Sequence, residues 1–103
     1  MTEAETKPAF LLVQATVTDR EGFKAYNAAL PPIYARYGGS YVALVPAPLV
    51  EVLEGEPEHR SVVISRFPSK QAALDFWHSP EYTAAKQLRA GKGTFYVALL
   101  EGR

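Results

Sequence analysis

The order of its segments predicts an α+β domain of β-α-β-β-α-β order: a four-stranded antiparallel sheet with two helices on one face. Three observations predict it. Runs rich in apolar, β-branched and aromatic residues stand at Ala9–Val17, Arg60–Phe67 and Thr94–Leu100, each with the length and composition of a strand. Two segments between the strands carry apolar residues at helical spacing. Turn residues (Gly38-Gly39, Gly55 to Glu58, Ala90-Gly91) separate these pieces. This order is the ferredoxin-like signature. Right-handed crossovers then put the first and third strands in the middle of the sheet.

Met1 to Pro8, MTEAETKP, reads as a frayed tail. It is polar and acidic without an apolar core, so no signal peptide is expected. Residues 9–103 form the single expected domain, since 103 residues suffice for one core and fall short of two. In the first strand, Leu11, Val13, Ala15 and Val17 share one face, and Phe10, Leu12, Gln14 and Thr16 share the other. Both faces are largely apolar, which argues against a wet side.

Thr18-Asp19-Arg20-Glu21 fits a capping box with Thr18 as N-cap. The helix that follows carries Phe23, Tyr26, Leu30, Ile33 and Tyr37 on its apolar side. Pro31 and Pro32 remove two amide donors, so a kink or a restarted helix is expected there. Gly38-Gly39 ends it. Ser40–Val45 and Leu49–Glu54 read as one strand region interrupted by Pro46-Ala47-Pro48, which places it at a sheet edge.

After the strand Arg60–Phe67, Ser69 is the expected N-cap of a helix running to Trp77. That helix breaks at His78-Ser79-Pro80, where Ser79 caps a second piece with proline in its preferred first position. Gly91 stops it, and the last strand follows.

Phe10, Leu12, Tyr96, Ala98 and Leu100 fall on the sheet face that the two helices leave bare. So broad an apolar face is more than a soluble monomer ordinarily exposes. A homodimer with the two sheets face to face is therefore expected, with Phe10, Leu12, Tyr96 and Leu100 at its interface.

Composition narrows the partners. Eleven basic residues balance eleven acidic ones, so no long-range field draws nucleic acid or an anionic membrane. The nearest basic grouping, Lys86, Arg89 and Lys92, falls at a helix C-terminus, where positive charge complements the helix dipole. The chain lacks cysteine, consistent with a reducing compartment, and a cytoplasmic location is expected. Its two histidines stand apart from any metal-ligand spacing. No metal or other cofactor is expected.

The run RFPSKQAALDFWHSPEYTAAKQLR, with YARYGGSYV and EVLEG, resembles the domain-of-unknown-function 1330 family. The likeness extends from Phe10 to Gly102. It implies a ferredoxin-like subunit that pairs as a dimeric α/β barrel, in agreement with the bare face. The superfamily so implied includes cofactor-independent monooxygenases, small isomerases and haem enzymes, so it selects no chemistry. Family members commonly carry an acidic residue before Phe-Pro-Ser. Arg66 stands there in this chain, and a role resting on that carboxylate does not carry over.

If both helices break at their prolines, the gaps face each other and open a cleft to the sheet. Its expected lining is Tyr26, Asn27, Tyr34, Trp77, His78 and Tyr82, an apolar body with polar tips. The plainer reading is that these aromatics only pack the helix layer. His78 is the candidate general base, against the plainer reading of a half-exposed residue near a cap. Arg66 is a candidate grip for a ligand carboxylate, against a structural ion pair.

The expected function is that of a small homodimer binding a small aromatic or carboxylated molecule in this cleft. One alternative is a cofactor-independent monooxygenase or isomerase using His78 and tyrosine hydroxyls. The other is an interaction dimer with no ligand.

Overall fold

A computed structural model describes residues 7–56 and 60–102. Four strands, β1 (Ala9–Val17), β2 (Ser40–Val45), β3 (Ser61–Phe67) and β4 (Gly93–Glu101), form one antiparallel sheet in the order β2-β3-β1-β4. The helices are α1 (Arg20–Arg36), α2 (Lys70–Trp77) and α3 (Pro80–Gln87). This is the expected ferredoxin-like arrangement, with the second helical segment split in two. Most of the predicted tail, and Pro57 and Glu58 of the Gly55 to Glu58 turn with His59, lie outside the described residues.

Pairing fixes which side chains share a face. Leu12 lies opposite Ile64 and Ala98, and Leu11 opposite Ser65 and Leu99. Ala9, Leu11, Ser65 and Phe67 are buried beneath the helices. Their neighbours Phe10, Leu12, Tyr96, Ala98 and Leu100 point the other way. Among the described residues nothing covers that face, and Tyr96 and Leu100 are 53% and 46% exposed.

The core is a cluster of rings. Phe76 is 1% exposed and packs against Tyr34, Tyr37, Phe67 and Tyr82 at centroid separations of 4.7–6.3 Å. Gly39 is where α1 turns back towards the sheet. A side chain there would meet the Phe67 ring at 2.6 Å, so only glycine lets the chain pass. Gly38, at φ +77°, supplies the left-handed residue just before it.

Three sequence expectations are corrected. The cap of α1 is Asp19, one residue later than predicted, and its carboxylate accepts from Gly22 N at 2.9 Å. Helix α1 passes through Pro31 and Pro32 without a break. Asn27 and Ala28, whose carbonyls lose their amide partners, are exposed on the same side as the prolines. Water can take those carbonyls, while Leu30, Ile33 and Tyr34 bury the opposite side. Finally, Leu49–Glu54 is not strand. After β2 the chain enters a short 3-10 turn at Ala47–Leu49 and leaves the sheet, because Pro46 and Pro48 have no amide to offer a ladder. The edge position of β2 itself is as expected, with a bulge at Val42.

The break between α2 and α3 is real and is built around Ser79. Its Oγ donates to Phe76 O at 2.8 Å and accepts from Tyr82 N at 3.0 Å, with the residue 4% exposed. Ser79→Ala is expected to cost about 1–2 kcal/mol of stability, since both a cap and a buried acceptor lose their partner. Urea denaturation of the two proteins measures it. Among the described residues, no helix is long and apolar enough to cross a membrane.

Candidate functional site

A cavity of about 390 Å³ lies between α1 and the sheet. Its floor is low because small residues meet there. Ala15 pairs directly with Ser61, and Ser61 Oγ donates to Ala15 O at 3.2 Å. Val13, Val63, Phe95 and Val97 complete that floor, and Tyr41, Leu44 and Val45 of β2 form one wall. The roof is α1, through Phe23, Tyr26, Leu30 and Tyr34, with Asn27 and Pro31 at its exposed rim. Tyr82 from α3 and Arg89 from the turn after it close the remaining side.

Helix α1 is joined to α3 by a polar clasp. Glu81, in the first turn of α3, accepts from Tyr37 Oη at 3.1 Å and pairs with Arg36 Nε at 3.1 Å. Deeper in, the Tyr26 and Tyr82 hydroxyls lie 2.8 Å apart, and the Tyr34 hydroxyl lies 2.7 Å from Ser65 Oγ.

Burial raises the Tyr26 phenol well above its ordinary range, helped by the neighbouring Tyr82. Burial pushes Tyr34 up to about 12, partly offset by its hydrogen bond with Ser65. Tyr41 is raised as well, first by burial and then by Tyr82. These three hydroxyls stay protonated at neutral pH and can donate hydrogen bonds. They are not bases.

Of the residues expected in a cleft, Tyr26, Asn27, Tyr34 and Tyr82 come together here. Trp77 and His78 do not. They line a separate hollow of about 270 Å³ between α2 and the same face of the sheet, with Leu11, Leu74 and Leu99. The expected cleft needed two opposed helix gaps, and only one gap exists. His78 is exposed, and Asp75, three residues before it, accepts instead from Gln71 Nε2 at 2.8 Å. Arg66 is exposed on the bare sheet face, opposite Phe10 and Ser40, and shares no surface with the cavity.

Sequence reasoning missed Arg89. It was grouped with Lys86 and Lys92 as a helix-end charge, yet it is 9% exposed and lines the cavity. Its guanidinium carbon lies 4.2 Å from the Phe95 ring centroid and 5.4 Å from that of Tyr26. The signal was present in the spacing. Tyr82 and Ala85 are the buried residues of α3, and Arg89 continues the same stripe four residues on, where an apolar side chain is the usual occupant.

The family model described as "Domain of unknown function (DUF1330)" matches residues 8–103, nearly the whole chain. The chain belongs to that family. No curated protein matches it. Among solved structures, this DUF1330 chain is similar to a protein of unknown function from Rhodopseudomonas palustris, at 21% identity and a TM-score of 0.79, covering 96% of this chain and 85% of that one. It is also similar to SnoaB, a cofactor-independent oxygenase from Streptomyces nogalater, at 16% identity and a TM-score of 0.66, covering 95% of each chain. At such identities these likenesses establish a shared fold for the DUF1330 chain.

Proposed function

We propose that this protein is a homodimer, joined through its bare sheet face, that binds a small aromatic molecule in the cavity under α1 of each subunit. The cavity carries the binding half of this reading. Its volume of about 390 Å³ falls within the roughly 300–1,000 Å³ of small-molecule sites. The lining has the composition such sites favour, aromatic and aliphatic walls with a few converging donors. The bare face supports the dimer. Leu49 and Leu53, 73% and 88% exposed after β2, add apolar surface that a partner would cover.

The likeness to SnoaB raises the alternative of oxygen chemistry. Catalysis that begins by drawing a proton from the bound molecule needs a base within reach of it. Among the described residues the lining comprises no histidine, aspartate or glutamate, and the phenols of Tyr26, Tyr34 and Tyr41 hold their protons. Binding without catalysis is the better supported reading.

A methyl-labelled NMR titration with 2-naphthylmethanol tests it. Leu30, Val13 and Val63 should shift in a saturable way, and Ala15→Leu, which raises the cavity floor, should weaken binding about tenfold or more. Shifts confined to Leu11, Leu74 and Leu99 would move the site to the other hollow. No saturable shift with any of several one- and two-ring probes would end the reading.

A further inference from the structure

We infer that Arg89 is the anion anchor of this cavity, so that the molecule it takes is an aromatic carboxylate. The inference rests on the cavity being a binding site and adds the class of its occupant. A buried charge is ordinarily paired. Arg89 is 9% exposed, and its Nε is buried without a hydrogen-bond partner. The ion pairs among the described residues join Lys24 to Glu21, Arg36 to Glu81 and Lys92 to Asp19, and none of them involves Arg89. Among the described residues, no carboxylate lines the cavity to answer it.

What Arg89 does have is aromatic rings. Phe95 and Tyr26 attract its charge through their faces. Such contacts leave the in-plane N–H groups unsatisfied, because a guanidinium presents all its donors along the edge of the plane. A planar acceptor with two oxygens suits that edge, and a carboxylate meets it with two parallel hydrogen bonds. The Tyr26 and Tyr82 hydroxyls are hydrogen-bonded to each other at 2.8 Å, which leaves one O–H of the pair as a further donor. Most of the remaining lining is apolar, with Val13, Leu30, Val63 and Val97 among it, which suits the ring that carries the carboxylate.

The test compares 2-naphthoate with 2-naphthylmethanol, of nearly the same shape and without the charge, by the same NMR titration on full-length protein. The wild type should prefer the carboxylate by about tenfold or more. In Arg89→Met, which keeps the apolar stem, the preference should vanish, the two probes binding within about threefold of each other. Should that variant not fold, Arg89→Lys replaces it, and the preference should fall without disappearing, since an ammonium keeps charge but loses the fork. Equal binding of both probes by the wild type, or a preference unchanged by substitution, would overturn the anchor and leave the cavity reading standing. Binding of neither probe would overturn the cavity reading and the anchor with it.

Discussion

Phe76→Ala is expected to lower the stability of the subunit by about 3–5 kcal/mol, a large share of the roughly 5–15 kcal/mol that holds a domain folded. The residue is 1% exposed, and its ring joins both helical segments to the sheet. It lies edge-on to Tyr34 at 4.9 Å, tilted against Phe67 at 5.2 Å and against Tyr82 at 4.7 Å. Removal takes away the transfer energy of a buried ring and leaves a void that three locked aromatics cannot collapse into. The specific ring contacts add about 0.5–1.5 kcal/mol each beyond area burial. Leu88→Ala, on an exposed side chain, is the control and should change stability by under about 0.5 kcal/mol. Urea unfolding followed by circular dichroism gives both numbers. A Phe76→Ala loss below about 2 kcal/mol would mean that the ring cluster repacks and is not the core of this fold.

The effect reaches the site because Tyr34 and Tyr82 belong both to this cluster and to the cavity lining. Phe76 is therefore a positioning residue at one remove. Phe76→Leu, which retains volume, should keep the fold at a cost of about 1–1.5 kcal/mol while loosening the two tyrosines.

The residues that made the fold legible are those whose periodicity or capping chemistry is local. Alternation through Phe10–Thr16 and through Phe95–Leu100 assigns each side chain to its face without knowledge of the partner strand, and the pairing agrees. Ser69 and Ser79 cap because a hydroxyl at that spacing answers free amides. The misread elements depended on what lay across space. Whether Pro31 and Pro32 break α1 is decided by whether water reaches the orphaned carbonyls and whether Leu30, Ile33 and Tyr34 are buried on the far side. Whether Leu49–Glu54 is strand is decided by the absence of a neighbour for its extended backbone.

The site was half legible for the same reason. Tyr26, Asn27, Tyr34 and Tyr82 were recognised from helical spacing, which holds within one element. Trp77 and His78 were assigned with them through a gap in α1 that does not form. Arg89 was passed over because charge near a helix end has a bland local explanation. Its burial depends on Phe95 and Tyr26, from two other elements. Phe23 and Phe95, stacked at 5.7 Å, are likewise joined only by the fold.

Leu12→Asp is expected to convert the proposed dimer to a folded monomer, weakening association by about a thousandfold or more, roughly 4 kcal/mol. Leu12 stands at the middle of a central strand, between Ile64 on one side and Ala98 on the other. In an isolated subunit, an aspartate there meets water and the fold survives. Across a sheet-on-sheet interface it would be buried among aliphatic side chains, and the charge would have to be desolvated. A standard interface of about 1,600 Å² would absorb no such group at its centre without opening. Tyr96→Glu tests the same face from the edge strand, where Tyr96 pairs with Gln14, and a smaller weakening is expected because water lies nearer. Sedimentation velocity at low micromolar concentration reads the mass, and circular dichroism confirms that each variant is folded. A wild type that sediments as a monomer at tens of micromolar, or two variants that remain dimeric, would show that the sheet's apolar face is not where copies meet. The grease on β1 and β4 would then need a different partner.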